Sequence, residues 1–360
     1  MIYDFRNFKS VDNFAFGKGC FNHLEEILDK KRKSSDDYMV YLIDKVFENN
    51  PLAKRISLKS SDYIIWIDTT DEPKTKEVDR IRDEIIAKNR KLPAGIIGIG
   101  GGSVIDYSKA ISMMVTNEGS SAQYQGLDLI KNPGIYNVCI PTLAGTGAEV
   151  SMTAVLTGPE KKLGIKCDYT VPNQILLDPE LTQGAPLDQR FYTGMDCYIH
   201  AVESVSGTWK NHFSDAFAEK SLEMCRKVFL EMEPGLEADE LLMVASYMGG
   251  LSLTYSQVGV CHALGYGLSY VLGTHHGIAG CIAFNQLEDY YGEHVADFRK
   301  MMEKNQIHLP TDICKNLPEE KLDKMAQTAI NLEHMWDHAL GKQWKQKITK
   351  EQIKDLFRRM

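Results

Sequence analysis

Gly95-Ile96-Ile97-Gly98-Ile99-Gly100-Gly101-Gly102-Ser103-Val104 is a short apolar run that dissolves into consecutive glycines, after which helical spacing runs from Val104 through Met114. A strand, a glycine turn and a helix in that order leave backbone N–H groups unpaired at the helix start, where the helix dipole adds positive potential. A pyrophosphate suits such a turn. The stretch Gly98 to Ser103 lacks the closing glycine of the GxGxxG pattern, so a tight structural turn is the competing reading.

Working outward, Tyr38-Met39-Val40-Tyr41-Leu42-Ile43, ending at Asp44, and Tyr63-Ile64-Ile65-Trp66-Ile67, ending at Asp68, predict two earlier strands. From Thr75 to Asn89, Val78, Ile81, Ile85 and Ile86 share one helical face. Asn137 to Ile140, closed by Pro141, and Ile175 to Leu177, closed by Asp178-Pro179, predict two later strands. Alternating strands and helices argue for a parallel sheet with its ligand site outside the carboxyl ends of the strands. Residues 1–185 are therefore expected to form an α/β nucleotide-binding domain. Asp44 reads either as an acceptor for an adenosine ribose, favouring NAD over NADP, or as a helix cap. Pro141-Thr142-Leu143-Ala144-Gly145-Thr146-Gly147-Ala148-Glu149 follows another strand and offers two hydroxyls to the same extended cofactor.

Beyond Pro186 the periods lengthen, and Leu187 to Ser206, Phe213 to Phe229 and Glu240 to Tyr255 predict helices. Residues 186–360 are expected to form an all-helical domain. From Leu241 to Leu287 there is no Asp, Glu, Lys or Arg, yet Ser246, Gln257, Asn285 and three histidines make the stretch too polar for lipid. It reads as a buried helical core containing a polar site. Asp196 and His200, four residues apart, place a carboxylate and an imidazole one turn apart on one helix face. His262 and His276, in the uncharged stretch, complete a set of hard oxygen and borderline nitrogen donors suited to zinc or iron(II). His275 reads as a group that orients a ligand or bonds the backbone.

The chain's 360 residues, 43% hydrophobic, support a large core and two domains, and its formal charge of -8 exerts no net pull toward nucleic acid or anionic membranes. Eight cysteines without a CxxC pair read as core thiols. The opening MIYDFRNFKS, broken by Asp4, Arg6 and Lys9, lacks the apolar run of a secretion signal, so a cytoplasmic location is expected. Lys30-Lys31-Arg32-Lys33 reads as a solvated helix end.

GGGSVIDYSK at 100–109, PTLAGTGAEV at 141–150, DPEL at 178–181, GMDCYIHAVES at 194–204 and CHALGYGLSYVLGTHHG at 261–277 together resemble the iron-dependent, group III alcohol dehydrogenases. The likeness spans nearly the whole chain. It implies metal ligation by Asp196, His200, His262 and His276, and cofactor contacts from Asp44, Gly101, Gly102, Ser103, Asp106, Thr142, Thr146 and Lys162. Many members carry a further histidine four residues after the third ligand, where this chain has Tyr266. Proton release is then expected through ordered water and the cofactor ribose, with Tyr266 as the side-chain route. DEPKT at 71–75, FYTGMDCYIH at 191–200 and neighbouring stretches resemble members that oxidise the carbon 8 hydroxymethyl of 3-deoxy-D-manno-octulosonate (Kdo) to an aldehyde, ahead of an 8-amino sugar of lipopolysaccharide. A small acidic sugar needs a cation or converging N–H groups for its carboxylate, and Lys162, Lys166 and Arg190 stand as contributors. A homodimer is expected, without nucleic-acid or membrane partners. Two other readings accompany this one: redox of another small alcohol or aldehyde, and a lyase resembling dehydroquinate synthase.

Overall fold

The computed structural model describes residues 7–88 and 91–360. Strands β1 (Asn13–Phe16), β2 (Met39–Asp44), β3 (Tyr63–Ile67), β4 (Gly95–Gly100), β5 (Gly126–Leu127), β6 (Asn137–Pro141), β7 (Thr153–Thr157), β8 (Lys162–Lys166) and β9 (Gln174–Leu177) follow in chain order. Six of them form one all-parallel sheet in the order β1-β9-β6-β4-β2-β3. The chain steps outward from β2 to β3 and then crosses back over β2 to β4. That reversal opens a crevice at the carboxyl ends of β2 and β4.

Parallel strands buried on both faces read as unbroken apolar runs, which is why β2 and β4 stand out in the sequence. Successive residues of β2 supply two cores. Val40 and Leu42 join Ile65, Ile67, Ile96 and the helix Thr75–Lys88 on one side. Met39, Tyr41 and Ile43 join Ile97, Ile99, Ile140 and Leu28 on the other.

A second sheet, β5-β8-β7, was not foreseen; it combines a parallel pair with an antiparallel hairpin. Nor was β1, a four-residue edge strand whose Phe14 and Phe16 face solvent. The helix expected over 75–89 ends at Lys88, and Asn89 lies outside the described residues, as do Met1 to Arg6. Two other expectations need correction. Arg32 is not a solvated helix end: its guanidinium turns inward and pairs with both oxygens of the fully buried Asp62 carboxylate at 2.8 and 2.7 Å. Cys20 is only half-buried, because it begins a surface helical turn, whereas the other seven thiols are buried.

The chain divides into two compact units, Asn7–Ala144 with Ala148–Gly184, and a second containing Gly145–Gly147 with Ala185–Met360. Among the described residues beyond 185 there are helices but no strands. Leu187–Ser206 begins after Pro186 with Asp188 in its first turn and stops at Gly207, where a Cβ would lie 1.9 Å from the His338 ring. His212–Arg226 starts from a reciprocal cap between Asn211 and Ser214 and widens into a π-helical turn over Lys227–Glu231, where a longer regular helix was expected. Leu236–Tyr255, Val260–Leu272 and His276–Asn285 follow. No helix among the described residues is long and apolar enough to cross a membrane.

Candidate metal centre and nucleotide site

Three helices of the second unit carry the expected metal ligands. Asp196 and His200 sit one turn apart on Leu187–Ser206, His262 lies in the first turn of Val260–Leu272, and His276 opens His276–Asn285. The Asp196 Oδ1 atom is 3.5 Å from His200 Nε2, 3.4 Å from His262 Nε2 and 3.5 Å from His276 Nε2. Those separations are long for hydrogen bonds. They match the roughly 3.3–3.6 Å between two donors that share a tetrahedral cation at about 2.0–2.2 Å. Asp196, His200 and His262 form a metal-chelating triad, with ligand atoms all within 4.8 Å of one another, and all three are buried. His276 adjoins it through Asp196 and is partly open, with 28% of its side chain exposed.

The charges fit a cation. Burial alone would raise the Asp196 carboxyl, but His200, His276 and His262 together hold it well below the usual carboxylate range. His200 is pushed down to about 4, chiefly by burial, so at neutral pH it keeps a lone pair for a metal. Burial also opposes charge on His262, yet Glu203 and Asp196 outweigh it and raise that ring to about 10, so a metal binding there displaces the Nε2 proton. Among the described residues, His262 Nε2 has no hydrogen-bond partner despite its burial. An orphaned imidazole nitrogen beside a buried carboxylate costs stability unless a cation engages both. Tyr266 is buried nearby, its ring 5.9 Å from that of His276 and edge-on to it.

Glu203 is the residue that spacing could have shown and that was not singled out. It lies seven positions after Asp196, on the same helix face, and its carboxylate is completely buried. Its Oε2 lies 2.5 Å from His262 Nδ1, and its Oε1 accepts from Cys261 N–H at 2.7 Å and from Tyr291 O–H at 2.9 Å.

In the first unit, sheet register brings several expected cofactor residues to one edge. Asp44 ends β2, Gly101, Gly102 and Ser103 follow β4, and Thr142 follows β6, where Gly100 pairs with Pro141. The helix Gly102–Met114 starts there without a side-chain cap, leaving its first N–H groups to an anion. The glycines before it serve packing as well: a Cβ on Gly98 would lie 2.5 Å from Ser108 Oγ, and one on Gly100 2.6 Å from Val104. Asp44 does act as a cap, accepting from Val46 N–H at 3.1 Å, and also takes the Thr69 hydroxyl at 3.2 Å. The capping reading of Asp44 is therefore met.

Asp106 and Lys162 lie deeper. Asp106 accepts Val155 N–H at 3.0 Å through Oδ2, while its buried Oδ1 has no hydrogen-bond partner among the described residues. Lys162 pairs with Glu72 at 2.8 Å. Lys109, also within the GGGSVIDYSK motif and fully buried, donates to Ala148 O at 2.8 Å and Ser151 O at 2.9 Å. Thr146 falls within Gly145–Gly147, which belongs to the helical unit.

Burial pushes the Asp106 carboxyl up to about 7, against the pull of Lys109 and Val155 N–H. An unfolded aspartate titrates near ~3.9, so the stability this group contributes is fully present below that pH and is lost as pH rises through about 7. Asp106→Asn cannot ionise. Urea midpoints of the cofactor-free chain should therefore separate in the variant's favour between pH 5 and pH 8, and parallel midpoints would contradict the argument.

Comparison with known proteins identifies the family. Residues 12–179 match the family of iron-containing alcohol dehydrogenases, and residues 190–316 match the C-terminal part of the Fe-containing alcohol dehydrogenase family. The sulfoacetaldehyde reductase of Bilophila wadsworthia is 30% identical over 65% of this chain and 61% of its own length. The 1,3-propanediol dehydrogenase of Klebsiella pneumoniae is 30% identical over 67% of this chain and 64% of its own. The chain thus spans somewhat under two thirds of these curated relatives. Among solved structures, an alcohol dehydrogenase from Oenococcus oeni superposes with a TM-score of 0.84 at 21% identity, covering 98% of each chain. The sulfoacetaldehyde reductase of Bifidobacterium kashiwanohense, solved with NAD+, gives 0.81 at 23% identity over 98% of this chain and 97% of that one. A parallel nucleotide-binding sheet, a helical half carrying an Asp/His/His triad, and matches across both halves place this chain in the iron-containing alcohol dehydrogenase family.

Proposed function

We propose that the chain interconverts a small alcohol and its aldehyde, with NAD as the hydride acceptor and a zinc or iron(II) ion held by Asp196, His200, His262 and His276. The observation that carries this reading is the convergence of three imidazole nitrogens on one buried carboxylate oxygen at 3.4–3.5 Å. A metal bound there supplies Lewis acidity that lowers the pKa of an alcohol hydroxyl. The side chains do the rest. With the His262 proton displaced, three imidazoles and one carboxylate would leave a divalent ion a net positive charge, and the partly open side of His276 is where substrate would enter. In the oxidation, the alcohol's C–H bond breaks and its electron pair passes with the hydrogen to NAD+, while the hydroxyl proton goes to water; the products are aldehyde, NADH and a proton. Asp44, Gly101, Gly102, Ser103, Asp106, Thr142, Thr146 and Lys162 are the proposed cofactor contacts. Asp44 opposes a 2'-phosphate by its charge, which favours NAD. Tyr266 beside His276 is the side-chain route for the proton.

The names of the relatives favour small substrates, sulfoacetaldehyde and 1,3-propanediol among them. Oxidation of Kdo at carbon 8 is the second reading, supported by the extended stretches that include DEPKT and FYTGMDCYIH. Two of the cations considered for its carboxylate already have partners: Lys162 holds Glu72, and Arg190 Nε holds Asp239 at 2.7 Å. Zinc- or iron-loaded protein should reduce NAD+ with short-chain alcohols, as read from nicotinamide absorbance. Turnover of Kdo with inert simple alcohols would reverse the order of the two readings, and turnover unaffected by complete metal removal would overturn both.

A further inference from the structure

We infer that Glu203 is a positioning residue that fixes the tautomer and aim of His262 and thereby sets the affinity of the metal centre; this rests on the metal reading above. A carboxylate only accepts hydrogen bonds, so the proton between Glu203 Oε2 and His262 at 2.5 Å resides on Nδ1. Nε2 then faces Asp196 Oδ1 at 3.4 Å, where an ion that takes the place of its proton would sit. A carboxylate behind a ligating imidazole also makes it a more basic donor.

The other contacts of Glu203 show that the carboxylate is itself held. Cys261 N–H and Tyr291 O–H both bond Oε1, and Val260 N–H donates to the Tyr291 oxygen at 3.2 Å. Val260 and Cys261 are the first two residues of the His262 helix, which begins at Gly259 without a side-chain cap of its own. Glu203 supplies that cap from the helix that bears Asp196 and His200, tying the segments that carry three of the four ligands. The backbone carbonyl of Glu203 accepts from His338 Nε2 at 2.9 Å, which fixes its end of the tie. Gly259 keeps the approach open, since a Cβ there would lie 3.2 Å from both Glu203 Oε1 and the Tyr291 hydroxyl oxygen.

Glu203→Gln tests the idea sharply. A glutamine can turn its amide N–H toward Nδ1, which moves the imidazole proton to Nε2 and removes the lone pair a metal needs. Zinc affinity, measured by competition with a chromophoric chelator on the full chain, should fall roughly 10- to 100-fold. The cobalt(II) absorption spectrum should change with it. Tyr291→Phe takes one bond from Oε1 but spares the one to His262; its thermal midpoint should drop while zinc affinity stays within about threefold, well short of the loss at an orienting group. Equal affinity loss in both variants would make Glu203 merely structural and overturn the inference, as would parental affinity in folded Glu203→Gln. If Glu203→Gln does not fold, Glu203→Asp decides: the shorter carboxylate keeps its charge but withdraws from Nδ1, and unchanged zinc affinity would be fatal. Failure of the parent chain itself to bind zinc, iron(II) or cobalt(II) would sink the metal reading instead.

Discussion

Asp196→Ala is expected to give a folded chain that retains almost no metal and turns over at least roughly a thousandfold more slowly, several kcal/mol of lost Lewis-acid stabilisation. Asp196 is singled out because its Oδ1 is the one atom that all three imidazoles approach, at 3.4–3.5 Å. Alanine leaves three nitrogens with no anion among them. Substituting a single histidine should be milder in occupancy, since the carboxylate and two rings remain. His262→Ala should nevertheless cost more metal than His276→Ala, because His262 is buried and braced by Glu203 whereas His276 is partly open. Metal content by elemental analysis and initial rates with excess NAD+ provide the check. An Asp196→Ala protein with full metal and parental rate would remove the basis for the proposed chemistry.

Gly145→Ala is expected to be the most destabilising small substitution in the molecule, costing more than about 4 kcal/mol or preventing folding outright. Gly145 has φ +148, in the region L-residues with a side chain rarely enter, and a Cβ there would lie 1.7 Å from the Thr193 carbonyl oxygen. The obstacle is helix backbone three residues before Asp196, so no rotamer change relieves it. Gly147 is similar, with φ +63 and a prospective Cβ 2.5 Å from Gly250 Cα. Gly235→Ala is the control: nothing lies within 4 Å of its prospective Cβ and its φ is 167, extended backbone that any residue adopts. Thermal midpoints of the two variants should differ by many degrees, and a stable, active Gly145→Ala would show that this loop is free to move.

The sheet could be read from sequence because strands buried on both faces appear as short runs of Ile, Val and Tyr stopped by aspartate or proline, as in β2. Strand β1 escaped since Phe14 and Phe16 face solvent, so its pattern is that of neither an amphipathic nor a buried strand. The β7–β8 hairpin escaped because Lys162 and Lys166 bracket three residues, and nothing local reveals that Lys162 is buried against Glu72. In the metal centre, the four-residue spacing of Asp196 and His200 is a local signal. Glu203 lay within reach of the same periodicity, but its role depends on His262 and Tyr291, which only tertiary packing delivers. PTLAGTGAEV was read as a cofactor turn, and its glycines prove also to meet helix backbone, a demand set by residues far along the chain. Arg32 looked like surface charge because its partner Asp62 is remote in sequence.

Only Asp196 and His200 are neighbours by virtue of a single helix; His262 and His276 reach them through separate helices. An unfolded polypeptide accordingly presents a weak two-point chelate, and high-affinity capture waits for compaction. Ion supply during biosynthesis should then govern how much competent catalyst accumulates while leaving the speed of chain collapse untouched.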